Sequence, residues 1–441
     1  KPMTEIIPLL ICLEPHLSST ALRQLRHVIF AMLCIPKRAT MLGLSRWSEK
    51  GGSYRTIQRL YHTPINWQVI HWIFLKTHLL DPDKLYLLAG DEVVEAKAGK
   101  TTHGVGRFYS GLAQRVIPSI AVLGLSVVDV EDRKSYPLYV QQIMPKSATK
   151  DTPPAQPKRS PGRPKGSKSY AKPDPIVSPL LHLLGSMMTT LQVQLDYLQI
   201  KHIVLDGNFG NYPSTWTVRK TRLHIISKMK CNAALYLPYT GPKPSRGSTP
   251  RYGDKLNYKQ LPPDALSSSR VENDYQIDTY HLHLYHKDYP DLLNVTVVVK
   301  THLPTDKCGH IVLFSTDLDL TAEQIVDYYS LRFQIEFNFR DTKQHWGLDD
   351  FMTIKPQAVT NSINLSFFMV NFSQVMLEPY REHDPYFSVL DLKAQFRAQR
   401  YLSETIKMLP ETPEPHLISR IWRRLSRFGG IRTPKLHDFV A

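Results

Sequence analysis

Between Lys84 and Lys230 the chain alternates β-type and helix-type segments in an order that few folds satisfy. "KLYLLAGDEVVEAK", "VIPSIAVLGLSVVDV" and "SYPLYVQQIM" are rich in β-branched and aromatic residues, and turn residues separate them. They read as three consecutive strands of an antiparallel meander. "SPLLHLLGSMMTTLQVQL" then has helical periodicity, "KHIVLDGNFG" is a fourth strand, a helix near "YPSTWTVRK" follows, and "HIISKMK" is a fifth strand.

Three strands, a helix, a strand, a helix and a strand is the order of an RNase H-like α/β domain, in which the first and fourth strands are neighbours. At 441 residues with 42% hydrophobic content, the chain is expected to hold two or three domains. Residues 1–82 read as a helical domain, with "TALRQLRHVIFAMLCI", "RATMLGLSRWSE" and "SYRTIQRLYHT" as three short helices in a helix-turn-helix arrangement. Ser53 would cap the third, and Arg55, Gln58, Arg59 and His62 would face a DNA groove and its phosphates; the alternative is a plain helical bundle with a basic surface. The α/β domain is expected over 83–235 and 317–370, interrupted by a β-rich insertion over 236–316. A basic helical region closes the chain over 371–441.

Lys and Arg number 55 against 39 acids, a formal charge of +16 that favours a polyanionic partner. No run reaches the roughly 18 apolar residues of a spanning helix, and "KPMTEIIPLLICLEPHLSST" has too short an apolar stretch for a signal peptide. A soluble, intracellular protein is expected. Cys12, Cys34, Cys231 and Cys308 form no CxxC pair, so reduced thiols are expected. His281, His283 and His286 could hold a metal on a strand but read more simply as exposed histidines. Residues 146–175, dense in Pro, Gly, Ser and Lys, carry eight bases against two acids and read as a flexible loop. Its centre, "PGRPKGSK", resembles an AT-hook, which would direct Arg163 and Lys165 into a minor groove, although Pro161 stands where an arginine is usual; otherwise the loop only solubilises.

Asp91 and Asp206 each end an apolar strand run, "LLAGD" and "HIVLD". On neighbouring strands such carboxylates converge and repel, and divalent cations are the usual remedy. Mg2+ suits hard oxygen ligands, and two ions could activate the attacking oxygen and stabilise the leaving one in a phosphoryl displacement. A third acid is required, and "YYSLRFQIEFNFRDTKQHWGLDDF", read as one helix, offers it. At about 100° per residue Tyr329, Arg332, Glu336 and Lys343 fall within about a 60° arc, beside a core stripe of Leu331, Ile335, Phe339 and Trp346. The plain alternative is an Arg332 to Glu336 surface salt bridge.

The spacing Tyr-x2-Arg-x3-Glu-x6-Lys resembles the Tyr-Arg-Glu-Lys signature of bacterial insertion-sequence DDE transposases, and the two aspartate strands are similar to that group's first two motifs. The likeness spans about 85–350. It implies Asp91, Asp206 and Glu336 as a catalytic triad holding two Mg2+ ions, with Mn2+ as a substitute. Tyr329, Arg332 and Lys343 would then contact phosphates of transposon ends. It implies a cytoplasmic, nucleoid-associated enzyme that works as a homodimer on double-stranded DNA, cuts at transposon ends and joins them to target DNA by cut-and-paste, without any membrane partner. The group's insertion commonly holds a flipped base on a tryptophan. None lies between 217 and 345 here, so Tyr236, Tyr239, Tyr252 or Tyr258 would have to serve. The rival readings are a metal-dependent nuclease without strand transfer, and a domesticated, catalytically idle DNA-binding protein.

Overall fold

The computed structural model describes residues 2–111, 113–145, 174–426 and 428. In chain order the elements are helices α1 (Pro2–Leu10), α2 (Ser19–Cys34), α3 (Met41–Trp47), α4 (Tyr54–His62) and α5 (Trp67–His78); strands β1 (Tyr86–Ala96), β2 (Gly106–Ser110), β3 (Arg115–Asp129) and β4 (Lys134–Ile143); α6 (Pro179–Thr190), α7 (Gln192–Tyr197), β5 (His202–Leu205), α8 (Tyr212–Arg219) and β6 (His224–Met229). Then come β7 (Leu235–Pro238), β8 (Tyr252–Lys255), β9 (Leu266–Glu272), β10 (Tyr275–His286), β11 (Leu293–His302), β12 (Lys307–Ser315), and helices α9 (Ala322–Leu331), α10 (Gln334–Gln344), α11 (Pro356–Arg381), α12 (Val389–Met408) and α13 (Pro415–Leu425). The fold is mixed α/β, and the five expected strand runs are all strands. The AT-hook-like centre with Arg163 and Lys165 lies outside the described residues. No described helix is long and apolar enough to cross a membrane.

The chain divides into two units: residues 1–142, 191–205 and 327–441 form one, and residues 143–190 and 206–326 the other. In the first, β3 pairs with β4 and, antiparallel, with β1, while β1 pairs in parallel with β5, so the first and fourth expected strands are neighbours. From Ser119 to Asp129 every residue of β3 is buried, the pattern of a strand covered on both faces.

Helices α1–α5 do not close a core of their own. Leu25, Ile29, Ile57, Leu60 and Phe74 share one hydrophobic cluster with Phe368 and Phe372 of α11 and Leu392 and Phe396 of α12. Each fully buried side chain of this size contributes roughly 1.5–3 kcal/mol relative to exposure, so the N-terminal helices and the C-terminal pair stabilise one body. Asn361 of α11 ties them with polar bonds: its amide donates to the carbonyls of Leu60, Tyr61 and Thr63 at the end of α4, and its oxygen accepts from the Trp67 indole at 2.8 Å. The bonds add to the C-terminal capping of α4, where the Leu60 carbonyl also accepts from the Thr63 N–H.

The second unit is built on an antiparallel ladder, β6–β12–β11–β10, with β9 on β10 and β7 and β8 completing it. The β-rich stretch thus continues directly from the fifth expected strand through the pairing of Ser315 with Ile226. Strand β9 was not expected. Its signal is Asn273-Asp274, both at positive φ, the pair that a two-residue hairpin of type I′ favours.

Candidate active site

Strand β1 is buried from Tyr86 to Gly90 and opens at Asp91. The strand read over "KLYLLAGDEVVEAK" runs to Ala96, paired with β3, and it is the β5 ladder that stops at the acid, with Gly90 opposite Leu205. The rim at Asp91 is therefore made by the end of a neighbour, which leaves the aspartate on a strand held rigid from its other side. Asp206 is the next residue after Leu205 in the chain and begins the second unit.

The helix expected over 328–351 is two helices. Between α9 and α10 the backbone tightens into i→i−3 bonds, Arg332 to Tyr329, Phe333 to Ser330, Ile335 to Arg332 and Glu336 to Phe333. No proline or glycine marks the break; Leu331 and Ile335 stay fully buried on one face while Phe333, on the opposite face, is half exposed. The break puts Glu336 in the first turn of α10, where the helix dipole favours a carboxylate.

Helix α10 is seated on the β1–β3 strands by two features. Gly124, the ladder partner of Asp91, has no side chain, and a Cβ there would lie 3.1 Å from the Phe339 ring. Asn338 is buried and donates to Ser126 Oγ at 3.2 Å and Ser135 Oγ at 2.8 Å, fixing the helix along its axis. The result is that Asp91 and Glu336, far apart in sequence, meet on one guanidinium. Arg332 donates from Nη1 to Asp91 Oδ2 at 3.0 Å and from Nη2 to Glu336 Oε1 at 2.8 Å.

The expected i,i+4 pair thus forms, but it is half of a three-membered arrangement. Side chains of Arg332 and Asp91 are only 18% and 15% exposed, against 41% for Glu336. Burial opposes the arginine's charge, yet Glu336, Asp91 and the nearby Tyr329 outweigh it and raise its pKa. Lys343 pairs with Glu95 of β1 at 2.7 Å. Next to it, burial lowers the pKa of Lys97, whose ammonium donates to the carbonyls of Asp349 and Phe351. Sequence reasoning missed Glu95, Gly124 and Asn338; only the register of β1 against β3 and α10 reveals them.

Asp206 is held differently. Its carboxylate accepts from the Asn208 backbone N–H and side-chain amide, both at 3.0 Å, capping the short 3-10 turn Gly207–Phe209. Ser227 of β6 donates to its carbonyl at 2.7 Å. A cavity of about 930 Å³ opens by this turn, lined by Asn208, Asn211, Tyr212, His286 and Tyr289 among others.

Of the tyrosines considered as base platforms, Tyr236 and Tyr252 meet edge to face, Tyr239 bonds the Pro242 carbonyl, and Tyr258 is stacked on His310. His281 is bonded to Asn294, and among the described residues no group of three His, Cys, Asp or Glu stands ready to hold a metal. On α4, Ser53 caps the helix as expected, Arg55 and Arg59 are exposed, and Gln58 and His62 are partly so.

As donors, Asp91 and Glu336 fit a hard divalent cation: both are carboxylates on rigid elements, brought within reach of one positive group. Compared with known protein families, residues 12–286 match the model of the DDE superfamily endonucleases, more than half of the chain. Glu336 lies beyond the matched span. No curated protein gives a significant match.

Proposed function

The chain belongs to the DDE superfamily of endonucleases, enzymes of phosphodiester cleavage, and on that footing we propose that it is a cut-and-paste DNA transposase with the Tyr-Arg-Glu-Lys signature. Asp91, Asp206 and Glu336 are its metal-binding acids in an RNase H-like domain. The observation that carries the reading is the meeting of Asp91 and Glu336 on Arg332. It joins a strand-borne acid to the acid of a four-residue signature by tertiary contact. Asp206 is assigned by its place in the chain, directly after the residue that pairs with Gly90.

Mg2+, with Mn2+ as a substitute and two ions per site, would be held by the three carboxylates and would supply Lewis acidity to the scissile phosphate. The protein's own contribution is positional. β1 fixes the Asp91 carboxylate with the Glu92 N–H at 2.8 Å, and α10 fixes Glu336. Tyr329, Arg332 and Lys343 present donors and positive charge to the backbone phosphates on either side of the cut. A 3′ hydroxyl freed by cleavage can occupy the place that water held, so one site serves both hydrolysis and joining.

Arg55 and Arg59 on exposed α4, with the basic stretch around Arg163 and Lys165, would hold double-stranded DNA outside the site. A homodimer would bring two transposon ends together. The test is a cleavage and joining assay on DNA from the flanks of the gene, with Mg2+. The wild-type chain yields cut and joined products, and E336Q yields neither while binding the same DNA. Cut product without joined product would demote the protein to a nuclease, and cleavage by E336Q would end the assignment.

A further inference from the structure

Resting on the reading of Asp91 and Glu336 as metal ligands, we propose that Arg332 is the site's internal counter-ion: it holds the two carboxylates while no metal is present, and a divalent cation binds by displacing it. Two carboxylates brought together in a half-buried site repel unless a positive charge lies between them. An ordinary helix-surface pair would engage Glu336 alone. Arg332 also reaches across to β1, and both it and Asp91 are largely withdrawn from water.

A guanidinium does not lose its proton under any relevant condition, so it cannot yield by neutralising. It has to move. The cation needs the same oxygens, Asp91 Oδ2 and Glu336 Oε1, that now accept from Nη1 and Nη2. Mg2+ binds carboxylate oxygens at about 2.0–2.1 Å, and its charge repels a guanidinium held against the same atoms. Arg332 sits in the tightened turn between α9 and α10, and its side chain is not part of the apolar core that holds Leu331 and Ile335, so the exchange leaves that core packed.

Released, the five N–H donors of Arg332 become available to a phosphate. Metal and DNA backbone then assist one another. The metal frees the arginine for phosphate, and phosphate captures the arginine that would otherwise compete with the metal. By linkage the two effects are equal in size.

The experiment is Mn2+ titration of the full chain without DNA, followed by calorimetry. R332Q should bind Mn2+ at least roughly tenfold more tightly than wild type, equivalent to about 1.4 kcal/mol. Equal or weaker binding by a folded R332Q overturns the proposal. D91N and E336Q separate this from the site reading itself. If both bind Mn2+ as wild type does, the carboxylates are not ligands and the site reading falls; if both weaken but R332Q does not tighten, only the counter-ion role falls.

A measurement on the unaltered protein guards against R332Q failing to fold. Phenylglyoxal modification of Arg332, followed by peptide mass spectrometry, should speed up severalfold when Mn2+ is added. An unchanged or slower rate contradicts displacement.

Discussion

Asp91 and Asp206 are the same residue type in the same kind of place, just past a buried apolar segment of strand, yet they are secured differently. Asp206 takes two bonds from Asn208, two residues on in its own turn. Asp91 takes one local bond, from the Glu92 N–H, and another from Arg332, which lies 241 residues away and arrives when α10 is seated against Gly124 and through Asn338. The bonds from Asn208 form with the turn. The bond from Arg332 forms only with the tertiary structure. A change near Asp91 should therefore disturb stability and chemistry together, whereas at Asp206 the two should come apart.

The largest expected effect erases the difference. If both carboxylates are metal ligands as proposed, D91N and D206N should each reduce metal-dependent nicking by more than about a thousandfold, roughly 4 kcal/mol of transition-state stabilisation. A variant of either that keeps near-normal nicking would remove that residue from the triad.

Next comes a contrast with the helical body. His71 is buried between Trp67 and Phe368, and burial pushes its pKa down to about 4. The unfolded chain, with His near 6.5, takes up the proton first, so stability from the neutral imidazole is complete above about pH 6.5 and is lost as pH falls towards 4. Urea unfolding at pH 7 and pH 4.5 should differ by a few kcal/mol from this group, H71F should flatten the dependence, and D91N and D206N should leave it intact. An unchanged profile in H71F would assign the acid loss elsewhere.

A smaller effect, about 1–3 kcal/mol in denaturant unfolding, is expected for G124V, which forces a side chain against Phe339. Because the same contact seats Glu336, nicking should fall as well; a stable G124V with full activity would show that α10 does not need this approach. The smallest effect sharpens the opening contrast. D91N should cost about 1 kcal/mol through its weakened bond to Arg332, while D206N should cost only a few tenths, since asparagine caps a turn as well as aspartate does. Equal costs would mean that the two acids are held alike.

Much of this was legible in the residues. The five strand runs and the Ser53 cap follow from local composition and periodicity, and the neighbouring first and fourth strands follow from the RNase H-like order of the elements. The wheel over 329–343 also placed Arg332 beside Glu336, because side chains four apart face one another even across the tightened turn. What stayed hidden depends on contacts between distant segments. The break at Arg332 carries no glycine or proline, and the early stop of the β5 ladder, with Gly90 opposite Leu205, has no local signal. The shared core of α1–α5 with α11 and α12 depends on apolar faces that a sequence cannot pair. That Arg332 serves two acids rather than one was equally invisible, since its second partner lies on β1.

The proposed roles of Asp91, Asp206 and Glu336 as metal ligands are tested most directly by oxidative backbone cleavage with Fe2+ in place of Mg2+, in ascorbate and peroxide, with the cut sites located by mass spectrometry. If all three bind the metal, three clusters of cuts are expected, near 91, near 206 and near 336, all suppressed by excess Mg2+ and all lost in E336Q. Cuts confined to one of these segments, or a pattern indifferent to Mg2+ and to E336Q, would contradict those roles.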